Sequence, residues 1–392
     1  MGDQDDDRPD NPFFPAALSA TDLRLPEAAL VAAPPAFMTN PAAITDSLSA
    51  HHPHVHPVHH GGTMQATTTA LPDGDDAEDD DGTSDSASDA TELDNEDFPH
   101  YFDERAGRLF HSHGIQSSYT FPVDGTEWKR LKALHELLKR VLGSNYDGPV
   151  AEVLSQEGAT GRIVDLCTGT GLWVMDMARE FPRVQFRGFD KVPIMTRYPL
   201  DNCHFEIGDV REHLRVADAS VDVVHARMTG LSIVDYMSLL RQAARILRPG
   251  GLFIAAEWGA YPALHPSHPA AANPTTELPN ITRFCEALNE LINHGAPTLA
   301  ITLPTLINIT GAFDAPRATT RAFPVGAPYP GVEPAAILLD VGEIMHRCTC
   351  GFVDAAVAGH PTLAEHADLV KHEVNTHPGV VAVWHTVHAR RR

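Results

Sequence analysis

With 392 residues, the chain is long enough for one large α/β domain of roughly 250–300 residues and a tail. Hydrophobic residues make up 43%, slightly below the globular norm, and 31 prolines with 28 glycines point to much irregular backbone. The formal charge is −23, about −19 of it before Phe98, and no basic stripe relieves it, which argues against direct contact with nucleic-acid phosphates. Any role on chromatin would run through protein partners. The acidic N-terminus is unlike a secretory leader, and no apolar run approaches the ~20 residues needed to cross a bilayer. Five cysteines (Cys167, Cys203, Cys285, Cys348, Cys350) then read as reduced thiols of an intracellular protein.

Residues 1–98 read as a disordered tail. A histidine tract (His51, His52, His54, His56, His59, His60) is followed by an acidic Ser/Thr/Asp run from Asp73 to Asp97. Such composition buries too little apolar surface to offset its ordering entropy, and the histidine spacing matches no defined metal site. No metal is expected here or at Cys348-Thr-Cys350, which read as buried thiols. From Tyr101 the character changes. Trp128, Leu131, Leu134, His135, Leu138 and Val141 recur at helical spacing through Leu142, and Val150–Glu157 reads as a second helix stopped by Gly158.

Arg162–Asp165 reads as a buried strand, Cys167–Gly171 as a glycine turn, Leu172–Phe181 as a helix and Val184–Asp190 as a second strand ending in an acid. This is a βαβ nucleotide-binding unit. Further strands are expected at Cys203–Val210, Val221–Met228 and Leu252–Trp258, with a helix at about Val234–Leu247 leading into the turn RPGG. Helices near Ile281–Asn293, Leu303–Ile309, Ala335–Arg347 and Leu363–Val374 follow, and Val380–Arg390 supplies a last strand. Strands alternating with helices imply a mostly parallel sheet covered on both faces, a Rossmann-like α/β fold.

In a βαβ unit the ligand sits beyond the carboxyl ends of the strands, where the first loop enters its helix. Gly169 and Gly171 would let the backbone approach it, and the helix N-terminus would hold a carboxylate. Asp190 is placed for two ribose hydroxyls and Asp209 for an adenine amine. Asp165 would oppose a pyrophosphate but suits an ammonium group, and Val174 stands where a dinucleotide fingerprint has its third glycine. Acids at three successive strand ends favour S-adenosylmethionine over a nicotinamide dinucleotide, which stays as a third reading behind an enzyme and a scaffold that use the former. The expected cofactor wall is Asp165, Leu166, Cys167, Thr168, Gly169, Thr170 and Gly171 from the first loop, Trp173 from its helix, Asp190 and Lys191, Gly208, Asp209 and Val210, and Arg227 with Met228. Cys167 replaces a glycine common in such loops and is expected at negative φ. Candidate catalytic groups are His225, Glu257 and Tyr119, with Arg227 and Trp258 nearby.

These residues resemble the class I methyltransferases, and more narrowly the fungal LaeA-type group linked to regulation of secondary metabolism. The resemblance covers roughly Tyr101–Arg392. It is carried by His113-Gly114 with YTFPVDGTEWKRLKALH (Tyr119–His135), by VDLCTGTGLWVMDMAREFP and by HARMTGLSIVDYMSLLRQAARILRPGG, and Gly311–Gly326 resembles the group's sixth strand and following turn. It departs at Cys167, at Gly311-Ala-Phe and at Lys191. The resemblance implies a seven-stranded mostly parallel sheet in a methyltransferase domain at 99–392. Within it, 99–150 would be lid helices, 160–260 the cofactor core and 261–392 substrate-side insertions and last strands. It implies a methyltransferase acting on a small-molecule or protein acceptor, or a weakly active regulatory scaffold with protein partners, placed in the nucleus or cytoplasm.

Overall fold

The computed structural model describes residues 97–112, 119–295, 298–331 and 336–392. The expected disordered, histidine-rich tail lies outside them up to residue 96, as does His113-Gly114. Phe98–Tyr101 forms a single 3-10 turn. A hairpin follows, β1 (Phe102–Arg105) and β2 (Arg108–His111), which the helical patterning around it did not suggest.

Helix α1 (Gly125–Leu142) begins where the Asp124 carboxylate accepts from the backbone of Thr126 and Glu127, and ends at left-handed Gly143. Leu134, His135, Leu138 and Val141 fall on its buried face, whereas Trp128 is 39% exposed and does not join the core as expected. Helix α2 stops at Leu154 (Val150–Leu154), three residues earlier than its apolar content suggests.

The main sheet contains β3 (Arg162–Leu166), β4 (Gln185–Asp190), β5 (Cys203–Ile207), β6 (Val221–Arg227), β7 (Leu247–Trp258), β8 (Ala263–Leu264), β9 (Arg317–Pro324) and β10 (Val380–Arg390). Its order is β5-β4-β3-β6-β7-β10-β9. The first five strands are parallel, and β10 runs antiparallel to both neighbours. The expected seven strands are all present; the eighth, β8, is a two-residue continuation beside the start of β10. The segment RPGG is drawn into β7 instead of forming a separate turn, with a register shift against β6 between Val221 and Val223.

Alternation along the strands explains two of the cores. Ile163, Val223, Leu252 and Ile254 pack with Trp173, Val174 and Met177 of α3 (Leu172–Glu180) on one face. Val164, Val224 and Phe253 pack on the other with Leu239 and Leu240 of α4 (Tyr236–Ile246). After α5 (Pro274–Glu277) come α6 (Pro279–Asn293), α7 (Leu299–Thr310), α8 (Ala336–Gly359) and α9 (Ala364–Thr376). A third core, with Phe121, Leu134, Phe284, Met345, Val353, Val374 and Trp384, joins α1, α6, α8 and α9 at the end where β7 and β9 finish. It caps the carboxyl edge of the sheet. Helix α8 runs twelve residues past its expected end, through Gly351, where it passes close to α1: a Cβ there would sit 3.2 Å from Arg130 Cδ. The expected sixth-strand stretch yields β9 only from Arg317; Gly311–Pro316 precedes it, with Phe313 bridged to Arg391.

Candidate active site

The parallel register sets Asp165 of β3 beside His225 of β6. His225 Nδ1 lies 2.7 Å from Asp165 Oδ1, and the Trp173 indole stacks on the imidazole with centroids 3.7 Å apart. Burial lowers the affinity of His225 for a proton despite that carboxylate. With Nδ1 engaged and one face covered, His225 is placed to hold Asp165. Trp173 is buried and donates its N–H to Asn145 O at 2.7 Å, so it both packs and walls the site.

The loop after β3 is pinned onto β4. Thr168 N donates to Phe189 O at 2.9 Å and Gly169 N to Asp190 Oδ2 at 2.7 Å. Holding it there twists Cys167 to φ +60°, so the negative φ expected of this residue is not what the fold adopts. Gly171, at φ +77°, is required by a neighbour: a Cβ would sit 2.6 Å from the Phe205 ring. Gly169 opens onto space, with nothing within 4 Å of a built Cβ. The Thr168 hydroxyl is buried and has no hydrogen-bond partner among the described residues. An open backbone position beside an orphaned hydroxyl fits a bound polar group.

Asp190 also accepts from Val192 N at 3.0 Å. Burial pushes its carboxyl up to about 6, against the pull of its backbone donors. At Asp209 burial also works upward, but Arg211 and then Lys191 outweigh it and hold the carboxyl well below the usual range. The Asp190 carboxylate keeps capacity for a further donor, whereas the lone pairs of Asp209 are taken by Arg211 N, Nε and Nη2 and by Lys191 Nζ.

One cavity collects most of these groups. Asp165, Cys167, Thr168, Gly169, Thr170, Trp173, Asp190, Lys191, Gly208, Asp209, Val210, Arg227 and Met228 line it, with His225 and Tyr119. Leu166 and Gly171 do not: Leu166 is fully buried in the core beneath, and Gly171 faces Phe205. The sequence reading missed His111, Leu131, His135 and Arg211. Leu131 and His135 fall on the apolar stripe of α1 and in the Tyr119–His135 segment that carries the family resemblance. His135 accepts from Arg227 Nη2 at 3.0 Å, and its Nε2 lies 3.2 Å from Asp176 Oδ2. Burial and Arg227 hold it down to about 4, so it is neutral, and burial brings Arg227 itself to about 10.

Glu257, at the end of β7, lies on a second cavity that meets the first at Tyr119, Leu131 and Met228. Its Oε1 accepts from Thr229 N and Oγ1 at 2.7 and 2.8 Å, and Oε2 receives only Gly230 N at 3.3 Å. Burial raises its carboxyl to about 7. Burial raises the Tyr119 phenol as well. The two cysteines of Cys348-Thr-Cys350 diverge around α8: Cys348 faces Arg130 O and Cys350 faces His346. No helix among the described residues is long and apolar enough to cross a membrane.

Residues 163–251 match the methyltransferase-domain family. The secondary metabolism regulator laeA of Coprinopsis cinerea is 38% identical over 151 residues, which cover 38% of this chain and 37% of that protein. Methyltransferase pytC of Aspergillus terreus is 33% identical over 151 residues, 38% of this chain and 44% of its own. The matched stretch thus spans about two fifths of the length of these relatives. Among solved structures, phosphoethanolamine N-methyltransferase 2 of Haemonchus contortus, in complex with S-adenosylmethionine, aligns at 15% identity with a TM-score of 0.38. The alignment covers 72% of this chain and 61% of that one.

Proposed function

We propose that this chain, a class I methyltransferase resembling the LaeA regulators, transfers a methyl group to a small-molecule or protein acceptor and thereby regulates secondary metabolism. The carrying observation is the convergence of Asp165, Asp190 and Asp209 with the open Gly169 backbone and the orphaned Thr168 hydroxyl on one cavity. S-adenosylmethionine bound there supplies an activated methyl group, which leaves the protein to position the acceptor and exclude water. Asp190 would take the ribose hydroxyls, Asp165 the ammonium end and Thr168 a further polar contact. The neutral His135 ties α1 to Arg227 and closes the site from above. In this reading residues 99–150 act as lid, 160–260 as cofactor core and 261–392 as the acceptor side of one domain beginning at residue 99. Placement in the nucleus or cytoplasm and action through protein partners, without direct nucleic-acid or membrane contact, belong to the same proposal.

A second reading, a regulatory scaffold of little or no activity, draws on the regulator names of the relatives and on the engagement of His225 with Asp165. Calorimetric titration of S-adenosylmethionine into the full chain and its Asp190→Ala variant separates the two. Micromolar binding that the variant loses supports the enzyme. No binding by folded wild type leaves the scaffold.

A further inference from the structure

The cavity beside the cofactor site has a volume of about 280 Å³ and is walled mainly by carbon. Phe121, Trp258, Phe284, Leu288 and Phe352 set its character. Its charged lining groups are Glu127 and Arg130, paired with each other, and Glu257. The buried Trp258 indole N–H has no hydrogen-bond partner among the described residues. Met228 and Tyr119 belong to both cavities, so whatever fills the second abuts the first.

We propose that this cavity is the acceptor pocket and that its occupant is an uncharged, planar aromatic small molecule whose hydroxyl meets Glu257 Oε2. The inference rests on the methyltransferase reading above. A protein lysine would bring a cation among apolar walls and leave most of the volume empty, at a desolvation cost that one carboxylate offsets poorly. A neutral aromatic body gains burial on every side. Glu257 Oε2, weakly occupied by Gly230 N, is an acceptor on the wall of this cavity, and Thr229, which Glu257 holds, follows the shared Met228 in the chain. There it takes the hydroxyl proton as the acceptor oxygen gains the methyl carbon; the bonding pair of the broken C–S bond stays with sulfur, and Glu257 then releases the proton to solvent. A carboxyl raised to about 7 by burial suits that exchange near neutral pH.

The test uses the full chain and 2-naphthol as probe. Calorimetry first measures S-adenosylmethionine binding; equilibrium dialysis then measures naphthol on the loaded protein, and labelled cofactor reports methyl transfer to it. The expected results are naphthol binding, loss of that binding by about tenfold or more in the cavity-filling Cys285→Phe or the milder Cys285→Met, and label on the naphthol. Glu257→Gln should keep both affinities and lose about 100-fold in transfer. Cofactor binding without naphthol binding, naphthol binding undiminished from wild type in both Cys285 variants, absence of transfer to bound naphthol, or undiminished transfer by Glu257→Gln would overturn the proposal while leaving the methyltransferase reading intact. Failure to bind cofactor would instead remove the reading on which it rests.

Discussion

Replacing Asp190 with Asn separates the cost of holding a carboxylate in this site from its use. The rise from 3.8 to about 6 amounts to about 3 kcal/mol of disfavoured ionisation in the folded state. The amide removes that penalty but presents one acceptor where two backbone donors, Gly169 N and Val192 N, now bond; the unsatisfied donor costs about 1–3 kcal/mol. These nearly cancel, so Asp190→Asn should be within about 2 kcal/mol of wild type at pH 7.5. The pH dependence should differ. Because burial raises the folded-state value, the contribution of Asp190 to stability is full below about 3.8 and lost as pH rises through about 6. Wild type should therefore gain stability relative to the variant on acidification from pH 7.5 to 5, read by urea unfolding of the cofactor-free protein. Cofactor affinity should move the other way, falling about 10–100-fold in the variant as a charged acceptor is lost. Parallel stability-against-pH curves for the two proteins, or unchanged affinity, would refute the reasoning.

Gly171→Ala should destabilise by about 2–5 kcal/mol, combining left-handed backbone with overlap on Phe205, and Phe205→Leu should recover part of the loss in a double-mutant cycle measured by urea unfolding. Asp222 is fully buried and receives Thr160 N, Thr160 Oγ1, Arg162 N and Arg248 Nε, so Asp222→Ala should cost about 3–5 kcal/mol. Burial opposes ionisation at Asp222, but Arg248 and these donors prevail and lower its carboxyl; its stabilisation should fade in acid, and a variant as stable as wild type at pH 7 would contradict this account. Cys285 lies in the apolar cavity with its thiol pushed up to about 12 by burial, so it should react with maleimide far more slowly at pH 7 than a free thiol, and naphthol should slow it further.

Much of this architecture was legible because local and global signals agree. The last strand, Val380–Arg390, has the bounds its apolar, β-branched run predicts, with buried residues on both of its faces. The acids closing β3 and β4, and Asp209 just beyond β5, converge because parallel strands deliver their ends to one edge. What was not legible depends on partners distant in sequence. Leu166 reads as a loop contact until its burial beneath the loop is seen. His135 looks like one more member of an apolar stripe; only Arg227, 92 residues away, gives it a role in the site. A histidine on such a stripe was the available signal.

Backbone strain adds an independent argument for where the chemistry sits. Of the five non-glycine residues at positive φ among the described residues, Cys167 and Met228 both line the cofactor cavity, each just past a strand end. Both are held by backbone bonds to the neighbouring strand: Thr168 N to Phe189 O, and Met228 N to Ala256 O. Such positions cost about 1–2 kcal/mol and persist where the surrounding structure over-determines them, commonly at functional sites. Cys167→Gly should relieve that strain and lose about 0.5–1 kcal/mol to greater unfolded-state entropy, for a small net stabilisation. Burial, then Asp190 and Asp165, push the Cys167 thiol well up, so it is no thiolate nucleophile, and the glycine variant should keep its cofactor affinity. Urea unfolding with calorimetry of the same samples decides the point. A destabilised variant would mean that Cys167 packing outweighs its strain, and lost cofactor affinity would mean that the side chain itself shapes the pocket.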